Sequence, residues 1–478
     1  MSLEVSARSF PEKAHEALGR ERLQKTLGYL RFGSAAGRRA VMARFPEFDT
    51  YRDLGKAIKD HTLAHLDTYM EMFLEKAAAA GAHVHWAADG AEARAIILDI
   101  CRKRGTRTVT KSKSMVSEEI ELAEHLSAHG IRAVETDLGE YIVQIRGERP
   151  SHIIGPAIHL TKEDVEETFR KVHDDLPPGR PLGTPVELIS EARLKLRDDF
   201  LNADVGISGA NFLIAETGTV VLVTNEGNAE LTTGVPKTHI VLTGIEKLVP
   251  TLEDATALLR LLARCGTGQD LTAYTSFITG AARPGDADGP EETHIVLLDN
   301  GRSRMLRTEF EEMLRCIRCG ACLNQCPVYT AVGGHAYGSV YPGPMGAVLT
   351  PMLASVDEAG HLPNASSFCG KCEEVCPMRI PLPRMMRHWR EREFERGLAP
   401  PAMRSGLGLW RTLAGWPAAY RLALGLAARV LRGRGREGFI RTLPFIGAGW
   451  TEHRDMRAPE GGTFLAQWSA RAGRERRP

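Results

Sequence analysis

The 478-residue sequence predicts an α/β domain followed by a smaller, helical, cysteine-rich domain, and three observations carry that prediction. Short apolar segments alternate with helical ones from about residue 82 to about 300, the pattern of a largely parallel sheet with crossover helices. Seven of the nine cysteines fall between Cys316 and Cys376. From Arg379 to the end the chain carries 20 Arg, no Lys and 8 acidic residues, a net +12 against −11 for residues 1–378. The total of +1 therefore averages unlike parts, and it argues against a dedicated nucleic-acid binder. An apolar fraction of 43% with 25% charged residues excludes a disordered chain and a small disulfide scaffold.

Four segments follow. Residues 1–60 read as helical, interrupted at Pro46; 61–300 form the α/β domain; 301–395 form the cysteine-rich domain; 396–478 are a basic C-terminal extension. Within the α/β domain, helix formers at roughly helical spacing continue through Leu63, Leu66, Met70, Phe73 and Leu74. Predicted strands are His83–Ala87, Thr106–Thr110, Arg132–Thr136, Ile142–Ile145 and His152–Gly155, with helices over Ala91–Lys103 and Ser117–His129 between them. Phe212–Ala215 and Thr219–Thr224 flank Glu216-Thr217-Gly218 and read as a hairpin added to the same sheet. Thr238–Leu242 and Thr293–Leu297 both read Thr-His-Ile-Val-Leu, as two buried strands do. Thr251–Cys265 is a leucine-rich helix, and Gly280–Glu292 is a loop.

Cys316-x2-Cys319-x2-Cys322-x3-Cys326-Pro327 has the spacing of the bacterial ferredoxin run. Three thiolates two residues apart cup three corners of a cubane, and the displaced fourth, followed by proline, serves another cluster. Zinc sites more often use two Cys-x2-Cys pairs. The second half, Cys369-x2-Cys372-x3-Cys376-Pro377, lacks its first cysteine and has Ser366 there. Carried over from two-cluster ferredoxins, crossed ligation gives Cys316, Cys319, Cys322 and Cys376 to one [4Fe–4S] cluster, and Cys326, Cys369 and Cys372 to a second. One iron of the second then lacks a thiolate. Ser366 or Ser367, or a water or substrate, supplies the ligand, or the cluster is [3Fe–4S]. The uncharged linker between the halves offers Tyr329, Tyr337, Tyr341, Val348, Leu349 and Leu353 as packing over the clusters.

These residues resemble a known family. Cys316–Pro327, the Gly-Gly-His-Ala-Tyr-Gly at 333–338, Tyr-Pro-Gly-Pro-Met-Gly-Ala-Val-Leu-Thr-Pro at 341–351 and Cys-Gly-Lys-Cys-Glu-Glu-Val-Cys-Pro at 369–377 are similar to the lactate-utilization protein B family. So are 209–219, 225–229 and 236–240, which resemble its lactate-utilization domain. The resemblance runs from about residue 15 to 450 and is loosest after Arg379. It implies an α/β fold related to sugar-phosphate isomerases and CoA-transferases, followed by an α-helical dicluster ferredoxin-like domain. It also implies the iron–sulfur subunit of a multi-subunit system that oxidises L-lactate to pyruvate. That family has the same seven cysteines, so the missing eighth is no departure from it. The reading is an electron-transfer component passing electrons to a partner or quinone pool. A second reading makes the chain catalytic, with the α/β domain binding a 2-hydroxy acid and the open iron acting on it. No Gly-x-Gly-x-x-Gly flavin fingerprint is visible, so the primary hydride acceptor resides elsewhere.

Other candidates have plainer competing explanations. Lys111, Lys113 and Ser114 between a strand and a helix suit an anion site or an exposed loop capped by Ser114. Gly206–Asn211 and Thr224–Asn228 suit pocket walls or turns. Glu216 and Glu226 are acid/base candidates or solvated carboxylates. His239 and His294 are expected at strand entries with their hydrogen bonds satisfied, and Cys101 and Cys265 as inert core thiols. Met403–Leu431 combines Leu407, Trp410, Trp416 and Tyr420 with Arg404, Arg411, Arg421 and Arg429. The span 403–432 therefore suits an acidic partner or an anionic membrane surface, or else packing on its own domain. Arg471–Pro478 reads as a frayed tail. No secretory signal is visible near Met1, and the uncharged Cys319–Val356 is too rich in glycine and proline to span a membrane. The expected location is cytoplasmic, peripheral to the inner membrane face.

Overall fold

The computed structural model describes residues 6–444, 447–452 and 454–475. Residues 1–5 of the N-terminal segment and 476–478 of the tail thus lie outside the described residues. The chain divides into two compact units, Met1–Arg396 and Gly397–Pro478.

In the first unit, ten strands among the described residues form two sheets: β1 (Ala82–Ala87), β2 (Thr108–Lys111), β3 (Arg132–Glu135), β4 (Val205–Ser208), β5 (Phe212–Ile214), β6 (Thr219–Thr224), β7 (Thr238–Gly244), β8 (Leu248–Val249), β9 (Tyr274–Ile278) and β10 (Glu292–Leu298). The larger sheet is parallel throughout in the order β1-β10-β7-β4-β2-β3. The chain runs outward from β2 to β3 and then returns to the other side of β2 as β4. Strand order therefore reverses between β2 and β4, and the carboxyl ends of these strands diverge there into a crevice. At this point Gly209 lies so close to Ser114 that an added Cβ would come 2.9 Å from its Oγ.

The repeated pentapeptides are neighbours, but their register is offset by one: Thr293 pairs with His239 and His294 with Ile240. A one-residue offset turns a strand's faces over. Ile240 and Leu242 accordingly enter the core on one side of the sheet, while Ile295 and Leu297 enter the core on the other. Helices between the strands begin on side-chain caps. Asp89 accepts from the N–H of Ala91 and Glu92 ahead of the Gly90–Lys103 helix, and Thr251 accepts from Asp254 ahead of Leu252–Gly266.

Four sequence expectations are corrected. Ile142–Ile145 is not a strand but part of the helix Leu138–Arg146, which Asp137 caps at one end and Gly147 ends in a left-handed conformation. His152–Gly155 has no regular structure. His152 Nδ1 accepts the N–H groups of Ile154 and Gly155 at 3.1 Å, so the backbone turns instead of extending. The β5–β6 hairpin forms as read, but it builds a separate sheet, β8-β5-β6-β9, rather than joining the large one. The first three residues of Gly206–Asn211, read as pocket wall or turn, instead belong to the strand β4.

The cysteine-rich segment is a chain of short helices closed by Leu382–Glu395. Its core is continuous with that of the N-terminal helices, and both share Ile153 and Leu258. Arg31, Arg38 and Arg52 on the N-terminal helices donate to the carbonyls of Thr330, Val375 and Cys376. The two parts are therefore bound by backbone capping as well as by apolar contact.

In the second unit, the helices Pro401–Ala414 and Pro417–Arg434 contain no buried residue. Trp416 is 72% and Leu422 75% exposed. Phe464–Glu475 is a helix, and it takes in Arg471–Glu475 of the expected tail. Among the described residues, no helix is long and apolar enough to cross a membrane.

Candidate metal centre and the adjoining pocket

The two cysteine runs are local duplicates, fifty residues apart, in backbone as well as in spacing. Arg318 and Phe368, each just before a cysteine, take left-handed conformations with φ of 60° and 54°. Gly320 and Gly370, each just after it, do the same at 71° and 80°. The short helices Ala321–Asn324 and Lys371–Glu374 follow. A left-handed non-glycine residue is strained, and its recurrence at matching positions marks a loop shaped by what it must hold.

The structure brings Cys316, Cys319, Cys322 and Cys376 around a single cavity, otherwise walled by apolar residues such as Ile153, Ile317, Met345 and Met378. Burial, with neighbouring thiols adding to it, pushes Cys319 and Cys322 well up, and burial raises Cys376 to about 11. Burial in an apolar cavity disfavours the free thiolates of Cys319, Cys322 and Cys376; a cation that displaces their protons is what such a set accepts. Backbone amides also point at sulfur: Ile380 N–H donates to Cys376 Sγ at 3.4 Å and Tyr329 N–H to Cys326 Sγ at 3.4 Å. Both features suit thiolate ligation of iron.

Cys326, Cys369 and Cys372 make a second group, in which burial first and then the neighbouring thiols raise Cys326 and hold Cys372 at about 12. Cys369 is exposed, so this group reaches the surface; in the first, Cys319 and Cys376 are buried and Cys316 and Cys322 half-buried. Ser366, at the place of a fourth cysteine, accepts the Phe368 N–H at 3.1 Å within its own turn. Arg390 lies over the Phe368 ring at 4.1 Å and donates to the carbonyls of Pro363 and Ser366.

Against the first group, at the crevice between β2 and β4, lies a cavity of about 260 Å³. Ile153 lines both spaces and is the wall between them. The apolar run misread as a strand is thus a partition. Lys113, Ser114, Gly209, Asn211, Asn225, Glu226 and Asn228, all candidates from sequence, line this pocket. None of Cys326, Cys369 and Cys372 does.

Sequence reasoning missed the pocket's two deepest cations, Lys247 and Arg318. Lys247 follows β7 in a turn and is 6% exposed; burial lowers it to about 8 against the pull of Glu246. The only signal was a lysine next to the apolar Leu248-Val249. Arg318 stacks on Tyr341 at 4.8 Å and reaches Glu246 at 3.4 Å, while its Nη1 is buried without a partner.

Other candidates resolve differently. Lys111 is fully buried, not exposed, bonded to Ser117 and paired with Glu118 and Glu135 at 2.9 and 2.8 Å. Ser114 does cap the next helix. Glu216 accepts the Leu252 N–H outside the pocket. His239 bonds Ser208 through Nε2 at 2.8 Å but leaves Nδ1 buried and unpaired, and His294 contacts His85 at 3.1 Å. Cys101 is buried in a helix core, where burial raises its thiol to about 12. Cys265 is equally buried but lies close enough to Cys319 to raise that thiol too.

A buried network ties the pocket side to the cysteine side. Arg302 is fully buried; it grips both oxygens of Glu119 at 2.9 and 2.7 Å and donates to Glu246 at 2.7 Å. Tyr341 donates to Glu119 at 2.6 Å. Burial opposes charge on Glu246, but Arg302, Arg318 and Lys247 outweigh it and hold the carboxyl at about 2.

A parallel-sheet α/β domain followed by a Cys-x2-Cys-x2-Cys-x3-Cys-Pro loop and a Cys-x2-Cys-x3-Cys-Pro loop defines an iron–sulfur protein. Residues 70–298 match the LUD domain and 312–380 the 4Fe-4S dicluster domain. The chain is 41% identical, over its whole length and 99% of the other protein, to "Lactate utilization protein B" of Oceanobacillus iheyensis. It is 41% identical, over 97% of each, to that of Bacillus licheniformis. It is 38% identical, over all of both chains, to "Uncharacterized electron transport protein YkgF" of Escherichia coli K12. A solved structure of a DUF162 family protein from Deinococcus radiodurans aligns with 49% of this chain and 98% of its own, at 16% identity and a TM-score of 0.26. The chain belongs to the lactate utilization protein B family.

Proposed function

We propose that this chain is the iron–sulfur electron-transfer subunit of a system that oxidises L-lactate to pyruvate. The observation that carries the reading is the single apolar cavity on which Cys316, Cys319, Cys322 and Cys376 converge. These four hold one [4Fe–4S] cluster; Cys326, Cys369 and Cys372 hold a second, which is [3Fe–4S] or takes a non-cysteine ligand. Bound there, the clusters supply one-electron carriage between the buried side of the domain and its surface. The protein contributes the rest. Ile317, Met345 and Met378 exclude water from the inner site, the N–H groups of Ile380 and Tyr329 steady the thiolates, and the exposed Cys369 marks the side from which a partner is reached.

The chain works with the other subunits of a lactate-utilization system, the partners that its relatives' names suggest. The arginines and exposed tryptophans of 403–432 suit contact with an anionic membrane surface, where a quinone pool is reached. A cytoplasmic protein, peripheral to the membrane, fits that arrangement.

Anaerobic reconstitution, with iron and sulfide analysis and EPR, tests the reading. Fewer than about six irons per chain, or a spectrum unaltered by Cys319→Ala, rejects two clusters. Turnover of L-lactate by the isolated holoprotein with an artificial acceptor makes it a catalytic subunit instead; the relay reading expects none.

A further inference from the structure

The two duplicated cysteine loops differ in charge. Residues 316–326 have Arg318 as their one charged side chain, a net +1, whereas the matching residues 366–376 have Lys371, Glu373 and Glu374, a net −1. Arg318 takes the left-handed position that Phe368 takes in the other loop. Lys371 pairs with Glu374 at 2.6 Å with both side chains largely in solvent, and Glu373 is exposed, so water and salt screen these charges. Arg318 is only 12% exposed, and screening there is weak.

Arg318 belongs to a larger buried group. It reaches one oxygen of Glu246 at 3.4 Å, and Arg302 donates to the other at 2.7 Å while also gripping Glu119. Lys247 is the next residue, and Lys59 donates to the carbonyls on either side of it, Glu246 at 2.5 Å and Leu248 at 2.9 Å. Lys59, Lys247 and Arg302 are all buried. Within this group four basic side chains share two carboxylates, and buried positive charge in excess of its partners is costly. The lysines register that cost: burial lowers Lys247 to about 8 and Lys59 to about 7. Cys316 acts in the opposite sense, since its negative charge favours the charged forms of Lys59, Lys247 and Arg318 alike. The excess therefore lies beside the inner set of cysteines.

Four thiolates around iron and sulfide carry a net negative charge, and reduction adds to it. The apolar lining of the inner cavity opposes that addition and by itself makes a cluster there hard to reduce. Weakly screened cations close by have the contrary effect. We propose that Arg318, Lys247 and Lys59 form a cationic shell that stabilises the reduced state of the inner cluster and raises its potential, a support that the acidic loop of the outer set, Cys326, Cys369 and Cys372, does not offer. The shell rests on the electron-transfer reading and gives it three tuning residues, two of which, Lys59 and Lys247, lie far from the cysteines in sequence.

Redox titration of the reconstituted full-length holoprotein, followed by EPR at matched iron content, tests this. The signal that Cys319→Ala removes identifies the inner cluster. Lys247→Met and Lys59→Met each lower the midpoint potential of that signal by about 59 mV or more, a tenfold fall in the one-electron reduction constant, and leave the outer signal in place. Lys247→Arg keeps the potential near that of the wild type, which separates charge from packing. An inner potential that neither Lys→Met variant moves overturns the shell while the clusters stand. Equal shifts of both signals overturn its assignment to the inner cluster. A wild-type holoprotein without any signal sensitive to Cys319→Ala overturns the electron-transfer reading itself, and the shell with it.

Discussion

Replacing Arg302 by Met removes the hub of the network between the α/β domain and the cysteine loops. The substitution deletes four bonds, two to Glu119, one to Glu246 and one to the Asp299 carbonyl, at a residue with no exposed surface. Each such bond is worth about 1.5–3 kcal/mol taken singly, but the losses do not add. Glu119 keeps Tyr341 and Asn300, and Glu246 keeps Arg318. The expected cost is that of leaving buried carboxylates short of their cation, about 3–5 kcal/mol. In a chain of this length that lowers the unfolding midpoint by on the order of 10 °C. Thermal unfolding followed by circular dichroism at matched iron content measures it. The pH dependence is the sharper check. Glu246 sits at about 2, below its unfolded value of about 4.3, so its stabilisation is present above about pH 4 and is lost as pH falls toward 2. Without Arg302 the buried carboxyls favour protons, so the gap between wild type and Arg302→Met is widest at neutral pH and narrows in acid. A gap under about 1 kcal/mol, or one constant from pH 7 to pH 4, refutes this account.

Three further outcomes are expected. Gly320→Ala meets both a left-handed φ of 71° and Ile154 Cδ1 at 2.9 Å, whereas Gly370→Ala meets only a φ of 80° with nothing within 4 Å. Both cost about 1–2 kcal/mol in backbone strain, but Gly320→Ala loses more iron per chain; equal losses refute the crowding argument. Ser366→Cys gives the second set a fourth thiol, so about one more iron per chain is expected and any three-iron EPR signal disappears. An unchanged spectrum places the fourth ligand elsewhere. The full chain cosediments with anionic vesicles in a salt-sensitive way and Trp410→Ala/Trp416→Ala weakens this, whereas neutral vesicles do not bind; absence of sedimentation removes the membrane contact.

What the sequence disclosed follows from how local each signal is. The cysteine loops were legible because three cysteines lie within seven residues, and strands β1, β2, β3, β7 and β10 because short segments with buried apolar residues alternate with helical ones. Ile142–Ile145 misled because three apolar residues in four suit either period, and the deciding features, Asp137 and Gly147, lie outside the run. His152–Gly155 misled because its apolar residues are buried against the cysteine domain rather than in a sheet. The polar walls of the pocket were legible as turn residues, but Lys247 and Arg318 were not, because they meet only through the fold. Glu119, Glu246 and Arg302 were likewise unreadable, since a buried charge and a solvated one look alike in a sequence.

The bond from Arg52 to the Cys376 carbonyl joins residues 324 positions apart. During synthesis the N-terminal helices emerge long before the loop they cap, so their arginines and apolar faces remain without that cover until residue 376 has left the ribosome. Non-local closure of this kind is slow and leaves sticky surface open meanwhile. It also means that the inner cavity has an open side until the last of its four cysteines arrives. The closing of the N-terminal segment is therefore an event of the finished first unit, and a chain truncated before Cys376 lacks it.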